Sequence, residues 1–139
     1  MLEEYFRQIE KLLSTSPAVH DVEIVRQTVP GTALEKVLNY RYRVMLADGG
    51  FVEMTERVLE VQGTLEMTKY RHHWQDGNGV LLKRWDNAPH HPAIDTFPHH
   101  LHDGAEDRVV SHQAITGLEA LRRILAEVEA RQISEGGEA

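Results

Sequence analysis

Nine histidines occur in this chain, and seven of them fall between positions 72 and 102. The densest stretch, residues 89–102, reads Pro-His-His-Pro-Ala-Ile-Asp-Thr-Phe-Pro-His-His-Leu-His and repeats the triplet Pro-His-His. Imidazole at this density suits three kinds of chemistry. A neutral ring is a ligand for zinc, nickel, copper or iron, and a His-x-His pair in extended chain can chelate. A ring that titrates near neutrality can move a proton in a transition state. A ring hydrogen-bonded to backbone carbonyls simply holds a loop in place. For any single histidine the third use is the commonest, but it explains a cluster of seven less well. His20 and His112 lie outside the cluster and carry no expectation. If the cluster holds a metal, His99, His100 and His102 are the ligand candidates, with a carboxylate from Asp86, Asp95 or Asp103. There is no cysteine, so thiolate sites and disulfides are excluded.

The segments just upstream add cations. In an extended chain Lys69, Arg71 and His73 share one face, and Tyr70 and Trp74 share the other. The turn Asp76-Gly77-Asn78-Gly79 implies a hairpin with Gln75 opposite Val80. That register puts Arg71 opposite Arg84, Lys69 opposite Asp86 and His73 opposite Leu82. On the other face Tyr70 meets Trp85 and Trp74 meets Leu81, and aromatic pairs of this kind belong to a core. Leu65 and Met67 are expected to begin the cationic face. Opposed arginines destabilise a sheet, so this pair calls for an anion. Asp86, Glu53 or a ligand phosphate could supply it.

The elements that must position these groups are legible from periodicity. Leu2, Tyr5, Phe6, Ile9, Leu12 and Leu13 recur at helical spacing and predict a helix, with Glu3 and Glu4 in its first turn. Ser14-Thr15-Ser16-Pro17 ends it. Val22, Ile24 and Val25 predict a strand closed by Pro30-Gly31. From Leu34 to Leu46 apolar residues keep one parity, which predicts a half-buried strand. Further strands are expected over 51–61, 65–74 and 80–85, joined at Asp48-Gly49-Gly50, Gln62-Gly63-Thr64 and Asp76–Gly79. Such short links require antiparallel neighbours. After Asp86 the pattern fails for about twenty-five residues, a length that in a compact domain is usually functional. Pro89, Pro92 and Pro98 stiffen this segment, and Ile94, Phe97 and Leu101 could pin it. In extended chain His100 and His102 share a side and His99 takes the other. Ile115, Leu118, Leu121, Leu125 and Val128 return at helical spacing, with Ser111 or the Thr116/Glu119 pair as caps.

The expected fold is therefore α+β: a five-stranded antiparallel meander sheet, an N-terminal and a C-terminal helix, and a long His/Pro-rich loop after the last strand. The 139 residues suit one domain, with 134–139 as a flexible tail. A formal charge of −7 argues against broad affinity for nucleic acid but leaves room for a local cationic site. No apolar run approaches a membrane span and the acidic start is no signal peptide, so a cytoplasmic protein is expected.

Three blocks carry a resemblance: Tyr70-Arg71-His72-His73-Trp74, Arg84-Trp85-Asp86-Asn87-Ala88-Pro89-His90-His91 and Phe97-Pro98-His99-His100-Leu101-His102. Together they resemble the TumE family, whose members are toxin components of toxin–antitoxin pairs. The resemblance implies an antitoxin partner, expected to be a helix-turn-helix protein, and supplies no catalytic residues. The leading expectation is a metal-independent ribonuclease. His73, His90, His91, His99, His100 and His102 are its candidate acids and bases. Lys69, Arg71 and Arg84 would hold phosphate, and Asp86 or Asn87 would orient an imidazole. No cofactor is then needed. The rivals are a metal-binding protein or metalloenzyme holding a divalent transition metal in the 90–102 cluster, and a binding module without catalysis.

Overall fold

A computed structural model describes residues 1–28, 32 and 35–136. The expected turn at Pro30-Gly31 and the first expected strand residue, Leu34, lie outside the described residues, as do 137–139.

The N-terminal amphipathic stretch forms helix α1, Leu2–Thr15, which buries Leu2, Tyr5 and Ile9. The sheet follows as β1 Val19–Thr28, β2 Glu35–Leu46, β3 Phe51–Val61, β4 Thr64–Gln75, β5 Leu81–Asp86, β6 His100–Asp103 and β7 Val109–Ser111. Helix α2 spans Gly117–Gly136. The fold is α+β with an antiparallel open sheet, as expected, but among the described residues it has seven strands rather than five. Their order is β1-β2-β3-β4-β5-β6-β7, so every strand pairs with its sequence neighbours. The two added strands come from the segment read as a long loop. They are four and three residues long, too short to show a period. The irregular stretch between β5 and β6 therefore shrinks to residues 87–99.

Both helices pack on one face of the sheet, α1 against β1 and β3 and α2 against β3 and β4. Core residues alternate along β2 and β3: Leu38, Tyr40, Tyr42 and Val44 face Val52, Met54 and Val58. Trp74 and Trp85 lie in this core, each 2% exposed. Thr116 caps α2 through its hydroxyl, which accepts the Glu119 N–H at 3.0 Å. Ser111, the other candidate cap, lies in β7. Among the described residues the opposite face of the sheet carries no helix.

Two bulges set which side chains reach that open face. On β4, Met67 pairs with Val58 but Lys69 pairs with Arg57, so Thr68 is the extra residue. Parity reverses there. Leu65 and Met67 pack against the core instead of beginning the cationic face, while Lys69, Arg71 and His73 point away from it. On β5, Gln75 pairs with Leu81 and Trp74 with Lys83, leaving Leu82 extra. The hairpin register is thus two residues from the expected one. Arg71 faces Asp86 and His73 faces Arg84. In this hairpin no arginines are opposed, and because the slip is an even number Arg71, His73, Arg84 and Asp86 still share one face, whereas Leu82, the extra residue, packs against the core.

Candidate functional site

The open face of β4, β5 and β6 forms a cleft of about 650 Å³ with the chain leaving β5. Strand β6 pairs with β5 so that His102 faces Arg84 and His100 faces Asp86. These side chains stand next to one another on the face away from the helices. His100, His102, Arg84 and Asp86 are all buried. His91 arrives from the loop, half-buried, with its ring edge-on to His100 at 4.8 Å and to His102 at 5.7 Å between centroids.

The hydrogen bonds define the state of these rings. His100 Nδ1 lies 2.9 Å from the Pro98 carbonyl and His102 Nδ1 lies 2.8 Å from the Glu106 carbonyl. A carbonyl only accepts, so each Nδ1 carries the hydrogen and donates. In neutral rings both Nε2 atoms would then be bare. They lie 3.1 Å apart. Asp86 Oδ1 is 2.9 Å from His100 Nε2, and Oδ2 is 3.4 Å from His102 Nε2. Two nitrogen lone pairs and a carboxylate converge on one point, and that point requires a positive charge. A proton on one Nε2 supplies it, and so would a cation.

Arg84 forms the wall beside this point. Its guanidinium makes a two-pronged ion pair with Glu106, with Nη1 at 2.6 Å from Oε1 and Nη2 on Oε2, and its Nε lies 3.4 Å from Asp86 Oδ2. The Glu106 carboxyl is held below its usual range by these Arg84 hydrogen bonds. Its side chain is still 67% exposed. Lys69 and Arg71 line the cleft opening. They also border a second depression over β2 and β3, which includes Arg41 and Glu53. There Glu53 pairs with Arg41 at 3.0 Å, Arg43 at 3.1 Å and Arg71 at 3.9 Å. Arg43 also pairs with Glu23 at 3.8 Å, and two carboxylates among three guanidinium groups still leave this part of a −7 protein with an excess of positive charge.

The expected site residues divide accordingly. His91, His100, His102, Arg84 and Asp86 come together, with His90 exposed at the rim and Lys69 and Arg71 at the mouth. Asp86 touches both buried imidazoles. Asn87 touches neither: its carboxamide accepts from Tyr70 N–H at 3.0 Å and donates to the Thr68 carbonyl at 3.2 Å, so it fastens the strand end. His99 points to the other side of β6, as an extended chain demands. Its Nδ1 lies 2.7 Å from the Tyr70 hydroxyl and its ring stacks on that tyrosine. Its ring is turned away from those of His100 and His102, whereas a His91 nitrogen lies within 4.8 Å of theirs. His73 lies outside the cleft lining and hydrogen-bonds Gln75 at 2.9 Å. Of the expected loop anchors, Leu101 is buried and Ile94 half-buried, whereas Phe97 is 44% exposed. The Phe97 correction follows from the short irregular turns of 91–97, which present its ring to solvent.

Glu106 was not foreseen, since an acid in a Gly-Ala-Glu-Asp turn carries no spacing signal. Nor was a second polar cluster, under the sheet. Glu56, 1% exposed, accepts from Tyr5 at 2.5 Å, Tyr40 at 2.7 Å and the Gly117 N–H at 2.9 Å. Burial raises its carboxyl above the usual range. His72 lies beside it, fully buried and with neither ring nitrogen hydrogen-bonded.

An open sheet backed by helices on one side, with a histidine–carboxylate–arginine cleft on the other, describes a small α+β protein with a polar cleft on one face. The chain belongs to the TumE family: the family model described as Toxin TumE matches residues 9–132. It is accordingly the toxin component of a toxin–antitoxin system, and its partner is an antitoxin. No curated protein and no solved structure matches it. Among the described residues no helix is long and apolar enough to cross a membrane.

Proposed function

We propose that this toxin acts by cutting RNA in the cleft of His91, His100 and His102, without a metal in the reaction. The observation that carries the reading is the convergence of His100 and His102 on Asp86 beside His91 and cationic side chains. In-line cleavage needs a base for the 2′-hydroxyl, an acid for the leaving 5′-oxygen and cations for the phosphorane. His91 suits the base. Partial burial first, and the neighbouring imidazoles second, hold it below the ordinary histidine range, so it is neutral at pH 7. It takes the 2′-hydroxyl proton, O2′ attacks phosphorus and the bond to O5′ breaks. The proton held between His100 and His102 passes to O5′, leaving a 2′,3′-cyclic phosphate and a 5′-hydroxyl. Arg84 is the phosphate seat, with Glu106 occupying its fork until a phosphate displaces it. Lys69 and Arg71 guide the strand towards it. The antitoxin is a helix-turn-helix protein, a reading supported by the family resemblance.

The test is cleavage of RNA by purified toxin, followed by mapping of the ends. Expected are 2′,3′-cyclic phosphate ends, no cutting where the 2′-hydroxyl is absent, and undiminished activity in EDTA. His91→Ala and His102→Ala should each lower the rate by about 10²- to 10⁴-fold. Full growth inhibition by both variants would overturn the reading.

A further inference from the structure

Among the described residues, three histidines are placed so that one nitrogen from each lies within 4.8 Å of the others: His91, His100 and His102. We propose that this ring, closed by Asp86, is a site for one divalent transition ion such as zinc, nickel or cobalt, which takes the place of the proton there. The proposal does not depend on the RNA-cutting reading; an ion held here would occupy the base and the acid which that reading uses, so the loaded protein would be unable to cut by that route.

The geometry argues for it in three ways. First, the donor set is imidazole and carboxylate, which suits these ions rather than magnesium or calcium. Second, the rings are pre-oriented. In metal sites the ligating histidine commonly donates its other ring N–H to a carbonyl or carboxylate, which fixes the tautomer and aims the bare nitrogen at the ion. His100 and His102 do so to Pro98 and Glu106. Their bare nitrogens are 3.1 Å apart, close to the ~3.4 Å expected for two ligands of a tetrahedral ion with metal–nitrogen bonds of about 2.0–2.1 Å. Third, the site is rigid on one side and adjustable on the other. His100 and His102 are fixed by strand pairing on both flanks. His91 sits on the loop and has on the order of an ångström to close. Asp86 Oδ1, already 2.9 Å from His100 Nε2, completes four ligands. The cleft leaves the point open to entry from solvent.

The experiment uses the full-length chain with any affinity tag removed, stripped with EDTA and dialysed. Zinc is titrated by calorimetry, and cobalt by its visible absorption, which distinguishes tetrahedral from octahedral ligation. Expected are one ion per chain, a Kd of about a micromolar or tighter, and a tetrahedral cobalt spectrum. His91→Ala and His102→Ala should each weaken zinc at least about tenfold. His99→Ala, one and three residues from two of the ligands but facing the other way, should bind as wild type. Less than about a fifth of an equivalent bound by the wild-type chain overturns the proposal. So does equal loss in His99→Ala, which would mean adventitious binding by the histidine-rich loop. Since binding is read without RNA, failure here leaves the cleavage reading standing. Conversely, cleavage abolished by EDTA would sink metal independence and leave this site supported.

Discussion

At the scale of single residues, one strand separates histidines by role. His100 and His102 point into the cleft, and His99, just before β6, supports Tyr70 instead. That split was legible, because alternation along an extended chain is the most reliable rule a sequence offers. Which upstream histidine would meet the pair was not, because the loop from 87 to 99 follows no period. His72 shows the cost of a buried ring without partners. Desolvation pushes it down to about 3. An unfolded histidine titrates near 6.5. The folded value lies below the unfolded one, so the unfolded chain takes up the proton first. Stability from this group is full above about pH 6.5 and is lost as pH falls towards 3. His72→Phe keeps a flat ring against Tyr70 and removes two unsatisfied nitrogens. Its thermal midpoint should be higher at pH 7, by the equivalent of about 1–3 kcal/mol, and its acid limb shallower. Identical acid limbs for both proteins in a melting series against pH would contradict this.

At the scale of elements, the strands and helices with clear periods were all legible, and the short ones were not. β6 and β7 together bring seven residues, and strands of that length are fixed by their neighbour's free edge rather than by their own pattern. The bulges at Thr68 and Leu82 were likewise silent, since one extra residue on one strand leaves composition unchanged. Two predictions concern joints between elements. The start of α2 passes so close to the sheet that a Cβ on Gly117 would lie 2.1 Å from the Tyr40 hydroxyl and 2.8 Å from Glu56 Oε1. Gly117→Ala should cost about 1–3 kcal/mol in a urea melt, while Gly63→Ala, with nothing within 4 Å of its added Cβ, should lose only the strain of its positive φ. The turn between β6 and β7 places Glu106 on Arg84. Glu106→Gln should weaken that ion pair and tighten an uncleavable RNA roughly 2- to 10-fold. Weaker binding would show that Arg84 needs Glu106 to hold its position.

At the scale of the whole molecule, a net charge of −7 coexists with a cationic open face. The bulk number argues against a surface that binds nucleic acid everywhere, and it hides the local cluster of Lys69, Arg71 and Arg84 around the cleft. Three such contacts to a single strand predict a slope of about −2 in log K against log salt, at roughly −0.7 per phosphate. Anisotropy of an uncleavable oligonucleotide over a KCl series measures it. A flat response would remove these cations from the interface, and a slope several times steeper would require a far broader one.

Strand order equals chain order throughout the sheet. As the chain leaves the ribosome, each new strand can therefore dock on the edge of the one before it. The cleft is completed late: β4 supplies Lys69 and Arg71, and the two convergent imidazoles arrive only with β6. At about 5–20 residues per second, a growing chain spends several seconds with most of its sheet translated and no site. Translation therefore lays down most of the sheet before the residues that line the cleft are complete.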